Sequence, residues 1–267
     1  MAETRRVAVK LAYDGTRFHG FQKQPELSTV EGELIAALCK VGAISPDPER
    51  GLRSSSRTDR GVSALGNVIS FETDFRLRSL CPAMNSELEG AWAYSAVEVD
   101  GGFNPRWARQ RWYRYHLPIA SQNLSTMRTA ACRMIGTHDF SGFARLDGRS
   151  PIRTIESIEI TEAPPFFVLD FRAESFLWNM VRRIAWFINA AGEGSVSLDS
   201  LEFGPGVQRR RIGLLPPEFL ILMDVDCGID FPVDPVAIRT LGRAMNERIA
   251  TLDMEREFCR LFSERLD

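Results

Sequence analysis

Segments with a two-residue hydrophobic period recur along most of this chain, and helical segments interrupt them without alternating one for one. Val7, Val9, Leu11 and Tyr13 alternate with other residues in Arg6–Tyr13, the pattern of a half-buried strand. Asn67–Phe71, Ala91–Val99, Trp112–Leu117, Ile152–Thr161, Phe167–Ala173 and Phe219–Val225 have similar strand character. Helical patterns fall at Ser79–Leu88, Ser125–Ile135, Phe176–Ala191 and Pro235–Leu266. In the last of these, Leu241, Met245, Ile249, Leu252, Phe258 and Leu261 form the expected inward side. A further helix follows Ser28-Thr29-Val30-Glu31, which reads as a capping box with Ser28 as the cap. Strands and helices mixed in this way predict an α+β protein. Both halves share the mixture, so the expectation is two similar lobes, 1–104 and 105–267, with antiparallel or mixed sheets that join. Phe103-Asn104-Pro105 is the crossover, because proline keeps its predecessor extended.

A chain of 267 residues buries enough surface to need neither disulfides nor a structural metal. Its five cysteines are scattered and include no CxxC pair, which fits a reducing compartment. The first residues lack the apolar run of a signal peptide, and no apolar stretch approaches the ~20 residues that cross a bilayer, so a cytoplasmic location is expected. The formal net charge of −2 hides a segregation. Residues 101–153 carry nine Arg against two Asp, whereas residues 218–267 carry eleven acids against six Arg. A basic centre beside an acidic tail suits a phosphate-facing surface, and solvated faces give the same pattern.

Arg57-Thr58-Asp59-Arg60-Gly61 is the segment richest in chemistry. A carboxylate approached by two arginines has a depressed pKa and stays ionised as a nucleophile. The same letters also make a common turn, in which Asp bonds its own backbone. The residues alone leave both readings open.

Wider patterns decide between them. Ser56-Arg57-Thr58-Asp59-Arg60-Gly61-Val62-Ser63-Ala64 resembles the signature of the TruA-type tRNA pseudouridine synthases. Five further blocks resemble that family in its order: Tyr13-Asp14-Gly15-Thr16-Arg17-Phe18-His19-Gly20-Phe21-Gln22, Asn85-Ser86 with Phe103–Ala108, Arg111-Trp112-Tyr113-Arg114-Tyr115, Gly136-Thr137-His138-Asp139-Phe140, and Phe176–Ile184. Ser63 and the residues after it are most similar to the archaeal and eukaryotic branches. Two positions depart from the usual pattern, Ser56 where many members have glycine and Ser63 where bacterial members have histidine.

The resemblance implies a pseudouridine synthase fold with a central RNA-binding cleft, and isomerisation of uridine in the tRNA anticodon stem-loop, at positions 38, 39 and/or 40. Asp59 would be the nucleophile, with C1′ and ring C6 as its two candidate targets. Tyr113 would stack on the extruded uracil and assist proton transfer from C5, Arg182 would pair with Asp59, and Arg57 would enter the space the base vacates. Arg17, Arg60, Arg109, Arg111 and Arg114 are the expected contacts to the RNA. Alternate residues of one strand face opposite ways, so Trp112 and Arg114 are expected opposite Tyr113. The reaction conserves all atoms, so neither a cofactor nor a metal is implied, and the family is typically homodimeric. A related synthase with another RNA target, an inactive RNA-binding protein and an aspartyl-phosphate enzyme are the competing readings.

Overall fold

A computed structural model describes residues 4–45, 52–204 and 212–266. In chain order its elements are β1 (Arg5–Tyr13), α1 (Val30–Lys40), β2 (Arg53–Ser54), β3 (Ser63–Thr73), α2 (Leu77–Asn85), β4 (Ala91–Glu98) and β5 (Gln110–Pro118). Then come α3 (Leu124–Met134), β6 (Gly136–Asp139), β7 (Ile152–Ala163), β8 (Phe166–Ala173), α4 (Met180–Gly192), β9 (Leu220–Asp226) and α5 (Pro235–Ser263). The strands form one mixed sheet in the order β4-β1-β3-β9-β5-β8-β7-β6, with β2 on β3. The class is α+β, as the sequence pattern predicts.

Strand β9 joins the halves. It runs parallel to β3, pairing Ser63 with Ile221 and Ala64 with Leu222, and antiparallel to β5, pairing Tyr113 with Leu222. A strand from the end of the chain therefore sits between the last inner strand of the first half and the first strand of the second.

The two-residue period sets which side chains go inside. Val7, Val9, Leu11 and Tyr13 of β1 are all buried, against Phe71 and Ile69 of β3 among others. In β5 the odd residues Arg111, Tyr113, Tyr115 and Leu117 are buried, and Trp112, Arg114 and His116 are half-buried on the other side. The register between β1 and β3 shifts between Leu11 and Tyr13, a bulge of the kind that re-aims a side chain.

Three local expectations are corrected. The cap of α1 is Thr29, whose side chain accepts from the Gly32 amide, while Ser28 bonds Glu33 and Glu31 accepts from the Lys23 amide. Helix α4 begins at Met180 rather than Phe176, because Asn179 adopts a left-handed φ of 65°. In α5, Ile249, Leu252, Phe258 and Leu261 are exposed, and Ala237 is the buried residue of the helix. The reason is length. Asp234 caps α5 beside β4, where its own amide bonds the Tyr94 carbonyl, and 29 residues extend about 44 Å, well past the sheet edge that receives the first turns. The acidic tail thus returns to the first half of the chain.

Candidate active site

Asp59 stands on a loop that is tied down from several directions. Ser55, Ser56 and Thr58, just before it, are buried polar residues. Ser55 Oγ donates to Asn67 Oδ1 at 2.7 Å, and Asn67 Nδ2 donates to the Ser56 carbonyl at 3.1 Å and to Tyr13 Oη at 3.2 Å. Tyr13 Oη and Thr58 Oγ1 share a bond of 2.8 Å. The bulge in β1 delivers Tyr13 to this network, and a fully satisfied buried network of this kind fixes one conformation.

The loop after β1 supports Asp59 from the other side. The Phe21 amide donates to the Thr58 carbonyl at 3.0 Å, the Gly61 amide to the Gly15 carbonyl at 3.2 Å, and the Gly15 amide to Ser63 Oγ at 3.0 Å. A Cβ on Gly15 would lie 2.1 Å from the Val62 carbonyl oxygen, so glycine is required for this approach. Gly61, at φ +86°, turns the chain into β3.

Arg182 reaches Asp59 from α4. Its Nη1 lies 3.4 Å from Asp59 Oδ2, with the side chains 11% and 27% exposed respectively. The same nitrogen is 3.4 Å from Asn179 Oδ1, and Nε donates to the Leu215 carbonyl at 2.7 Å. Arg183, half-buried, donates to the Ile212 carbonyl at 2.8 Å. Burial pushes the Asp59 carboxyl above its ordinary range, and the Arg182 charge and hydrogen bonds from Trp178 and Arg182 only partly offset this. The depressed pKa that flanking arginines suggested is therefore reversed. Arg57 and Arg60 are exposed, and Arg57 bonds Gln22 at 3.3 Å rather than neutralising Asp59.

Tyr113 completes the group from β5. Because β9 intervenes, it lies two strands, roughly 9–10 Å, from the segment that follows Asp59. Its ring meets Phe176 edge to face at 5.4 Å. Burial raises its phenol pKa, the Arg111 charge and a bond from Ser56 lower it, and the Asp59 charge raises it again. Asp59, Arg182 and Tyr113 thus converge from a loop, a helix and a strand.

The other expected RNA contacts separate into two groups. Arg17, Arg57, Arg60 and Arg109 are exposed, Arg17 in an ion pair with Glu89 at 3.0 Å. Arg111 is instead buried, donating to Ser56 Oγ, the Ser55 and Arg106 carbonyls and the Glu174 carbonyl, so it braces the Asp59 loop and has no solvent-facing head. Arg114 lies on the opposite face and grips Asp170 through two bonds of 2.9 and 2.8 Å. Tyr13, Asn67 and Trp178 were not singled out from the sequence. Long-range contacts join the first two to the site, and no local pattern encodes those.

In chemical terms the site holds a partly shielded carboxylate that carries a guanidinium partner, with a buried aromatic hydroxyl two strands away. A carboxylate and a phenol in such an arrangement are able to serve nucleophilic attack and proton transfer.

The chain is similar to known proteins along most of its length. A family model described as tRNA pseudouridine synthase matches residues 130–226. The chain is 43% identical over 249 residues to tRNA pseudouridine synthase A of Pyrococcus abyssi, covering 91% of this chain and 93% of that protein. It is 40% identical over 248 residues to the Pyrococcus horikoshii protein of the same name, with 91% and 93% coverage. Similarity to the Methanothermobacter thermautotrophicus protein is 40% over 232 residues, with 84% and 82% coverage.

Proposed function

The chain belongs to the tRNA pseudouridine synthase A family, and on that premise we propose that it isomerises uridines 38, 39 and/or 40 of the tRNA anticodon stem-loop with Asp59 as nucleophile. The observation that carries this reading is the partly shielded Asp59–Arg182 pair at 3.4 Å, with Tyr113 on the adjoining strands. In the reaction the carboxylate adds to the nucleoside and the bond between uracil N1 and C1′ breaks. The ring rotates against Tyr113, C5 joins C1′, and the bond to Asp59 breaks, which returns the carboxylate. The proton on C5 leaves through the Tyr113 hydroxyl, and N1 takes up a proton, so atoms balance without a co-reactant.

Each residue has a physical reason for its role. Burial strengthens the carboxylate as a nucleophile by removing its water, and Arg182 keeps enough of it ionised to act. The reacting uridine must leave its stack to reach Asp59, and an aromatic face is the usual receiver of an extruded base. Arg57, exposed and two residues before Asp59, would fill the gap left behind, since a guanidinium both stacks and binds phosphate. Arg17, Arg60 and Arg109 hold the RNA backbone, which supplies affinity without reading sequence. The reading includes a cytoplasmic homodimer, in which the second copy covers the exposed apolar side chains of α5, among them Leu252, Met254 and Phe258.

The test is to incubate unmodified tRNA transcripts with the protein and map pseudouridine along them. Conversion at positions 38, 39 or 40 is expected. Conversion elsewhere, with those positions untouched, would assign another RNA target.

A further inference from the structure

Trp178, two residues before α4, has features that its place in the fold does not require. Trp178 is 41% exposed although it adjoins the partly shielded Arg182–Asp59 pair, and its neighbours Leu177 and Met180 are inside. It is held outside the helix by Asn179, whose left-handed φ of 65° is uncommon for a residue other than glycine. Asn179 is itself fixed by the bond from Arg182. Strained backbone that persists beside a reactive group points to function.

Arg145 is registered onto Trp178. The two residues form an isolated antiparallel bridge, in which the Arg145 amide donates to the Trp178 carbonyl at 2.9 Å. Above that bridge the Arg145 guanidinium lies 4.0 Å from the centroid of the indole. Among the described residues the Arg145 guanidinium makes no hydrogen bond and no ion pair, whereas the nearby Arg149 is engaged by Asp147. Its planar head is therefore held in place by stacking while its donors stay open.

We propose that Trp178 and Arg145 form a stacking subsite for a nucleobase adjoining the reacting uridine. The inference rests on the tRNA reading above. An extruded uridine leaves its neighbours unstacked, and single-stranded bases are commonly held on aromatic rings and on arginine planes. Here a ring and a guanidinium are already layered, so a base stacked on the outer side extends a column that costs little to order. The open donors of Arg145 then face the phosphate or the edge of that same nucleotide. The subsite lies on the second half of the chain and the exposed Arg17, Arg57 and Arg60 on the first, so both halves would hold the strand.

Equilibrium binding separates this role from any effect on the chemical step. Affinity for an unmodified tRNA transcript is measured in the Asp59→Asn background, with Trp178→Ala, Trp178→Phe or Arg145→Ala added. Trp178→Ala is expected to weaken binding about 5- to 100-fold, the range of one base–aromatic stack, with Trp178→Phe much closer to the parent and Arg145→Ala in between. A second RNA series carries an abasic residue on the 5′ or the 3′ side of the target. On one of the two the Trp178→Ala penalty should disappear, which a folding defect would not produce. A wild type active on tRNA, with Trp178→Ala binding within about twofold of the parent, overturns the subsite alone. So does a penalty that persists on both abasic RNAs. A wild type that neither binds nor converts tRNA overturns the functional reading and this inference with it.

Discussion

Replacing Arg182 by Gln removes the cation that faces Asp59 and keeps a side chain with hydrogen-bonding atoms. The guanidinium and the carboxylate are 3.4 Å apart, at a site that is shielded but not dry. Their attraction at that separation is about 5 kcal/mol at an effective dielectric of ~20 and about 1 kcal/mol in bulk water. With Asp59 partly exposed, about 2–3 kcal/mol is a reasonable middle value, which corresponds to roughly two pH units. The direction follows from the opposing causes. Burial raises the Asp59 pKa and Arg182 lowers it, so without Arg182 the carboxyl holds its proton to higher pH. The acid limb of single-turnover pseudouridine formation should therefore move up by roughly two units, and the loss of rate should be far greater on the acid limb than on the plateau. Arg182→Lys keeps the charge, so its acid limb should stay near the wild-type position with a lower plateau. Stability should change in parallel. A carboxyl whose folded pKa lies above its unfolded value favours the folded state fully only below the unfolded pKa, near 4. The gap in stability between Arg182→Gln and wild type should therefore widen as pH rises from there and level off above the raised pKa. An acid limb that overlies the wild type to within about 0.3 unit would refute the reasoning.

Other substitutions test separate parts of the site. Tyr113→Phe keeps the ring and loses the hydroxyl, so tRNA affinity should hold within about twofold while the chemical step slows by roughly 10²–10⁴; equal losses in both would deny the hydroxyl a role. Asn67→Ala leaves Ser55, the Ser56 carbonyl and Tyr13 short of partners in the interior, and should cost about 2–4 kcal/mol in urea unfolding. A loss under about 1 kcal/mol would mean the network is not what holds the Asp59 loop. Leu252→Glu on the uncovered side of α5 should shift a dimer to monomer in light scattering coupled to size exclusion, with an unchanged fold by circular dichroism. A wild type that is monomeric across the accessible concentration range removes the dimer from the proposal.

The parts of this fold that could be read from the sequence are those written in local periodicity. The alternation in β1 and β5 gave both the strands and their buried faces, including the separation of Arg111 and Tyr113 from Trp112 and Arg114. Strands β2 and β6, of two and four residues, are too short to show a period. The insertion of β9 between β3 and β5 is a long-range choice without a local mark, yet it is what sets Tyr113 two strands from the segment that follows Asp59. Phe176–Asn179 continues the apolar pattern of α4, and only tertiary contacts, such as the Arg145 bridge and the bond from Arg182, reveal why the chain leaves the helix there. The apolar side of α5 was legible as apolar, but no pattern within a helix says whether anything covers it.

Charge was the least legible property. Arginines adjacent to Asp59 in sequence point to solvent, and the one that engages it comes from 123 residues away. It was the family resemblance, and not local charge, that pointed to Arg182. Nor does the basic stretch 101–153 behave as one unit. Arg111 turns inward, Arg114 pairs across the sheet, and Arg145 lies on an indole.

The central claim is that Asp59 is the nucleophile of a uridine isomerisation, and tritium release from tRNA labelled at uridine C5 tests it most directly. Wild type should release tritium in proportion to the pseudouridine formed, and Asp59→Asn, checked by mass for reversion to Asp, should release none above background while still binding tRNA. Release by Asp59→Asn at the wild-type rate would contradict the account.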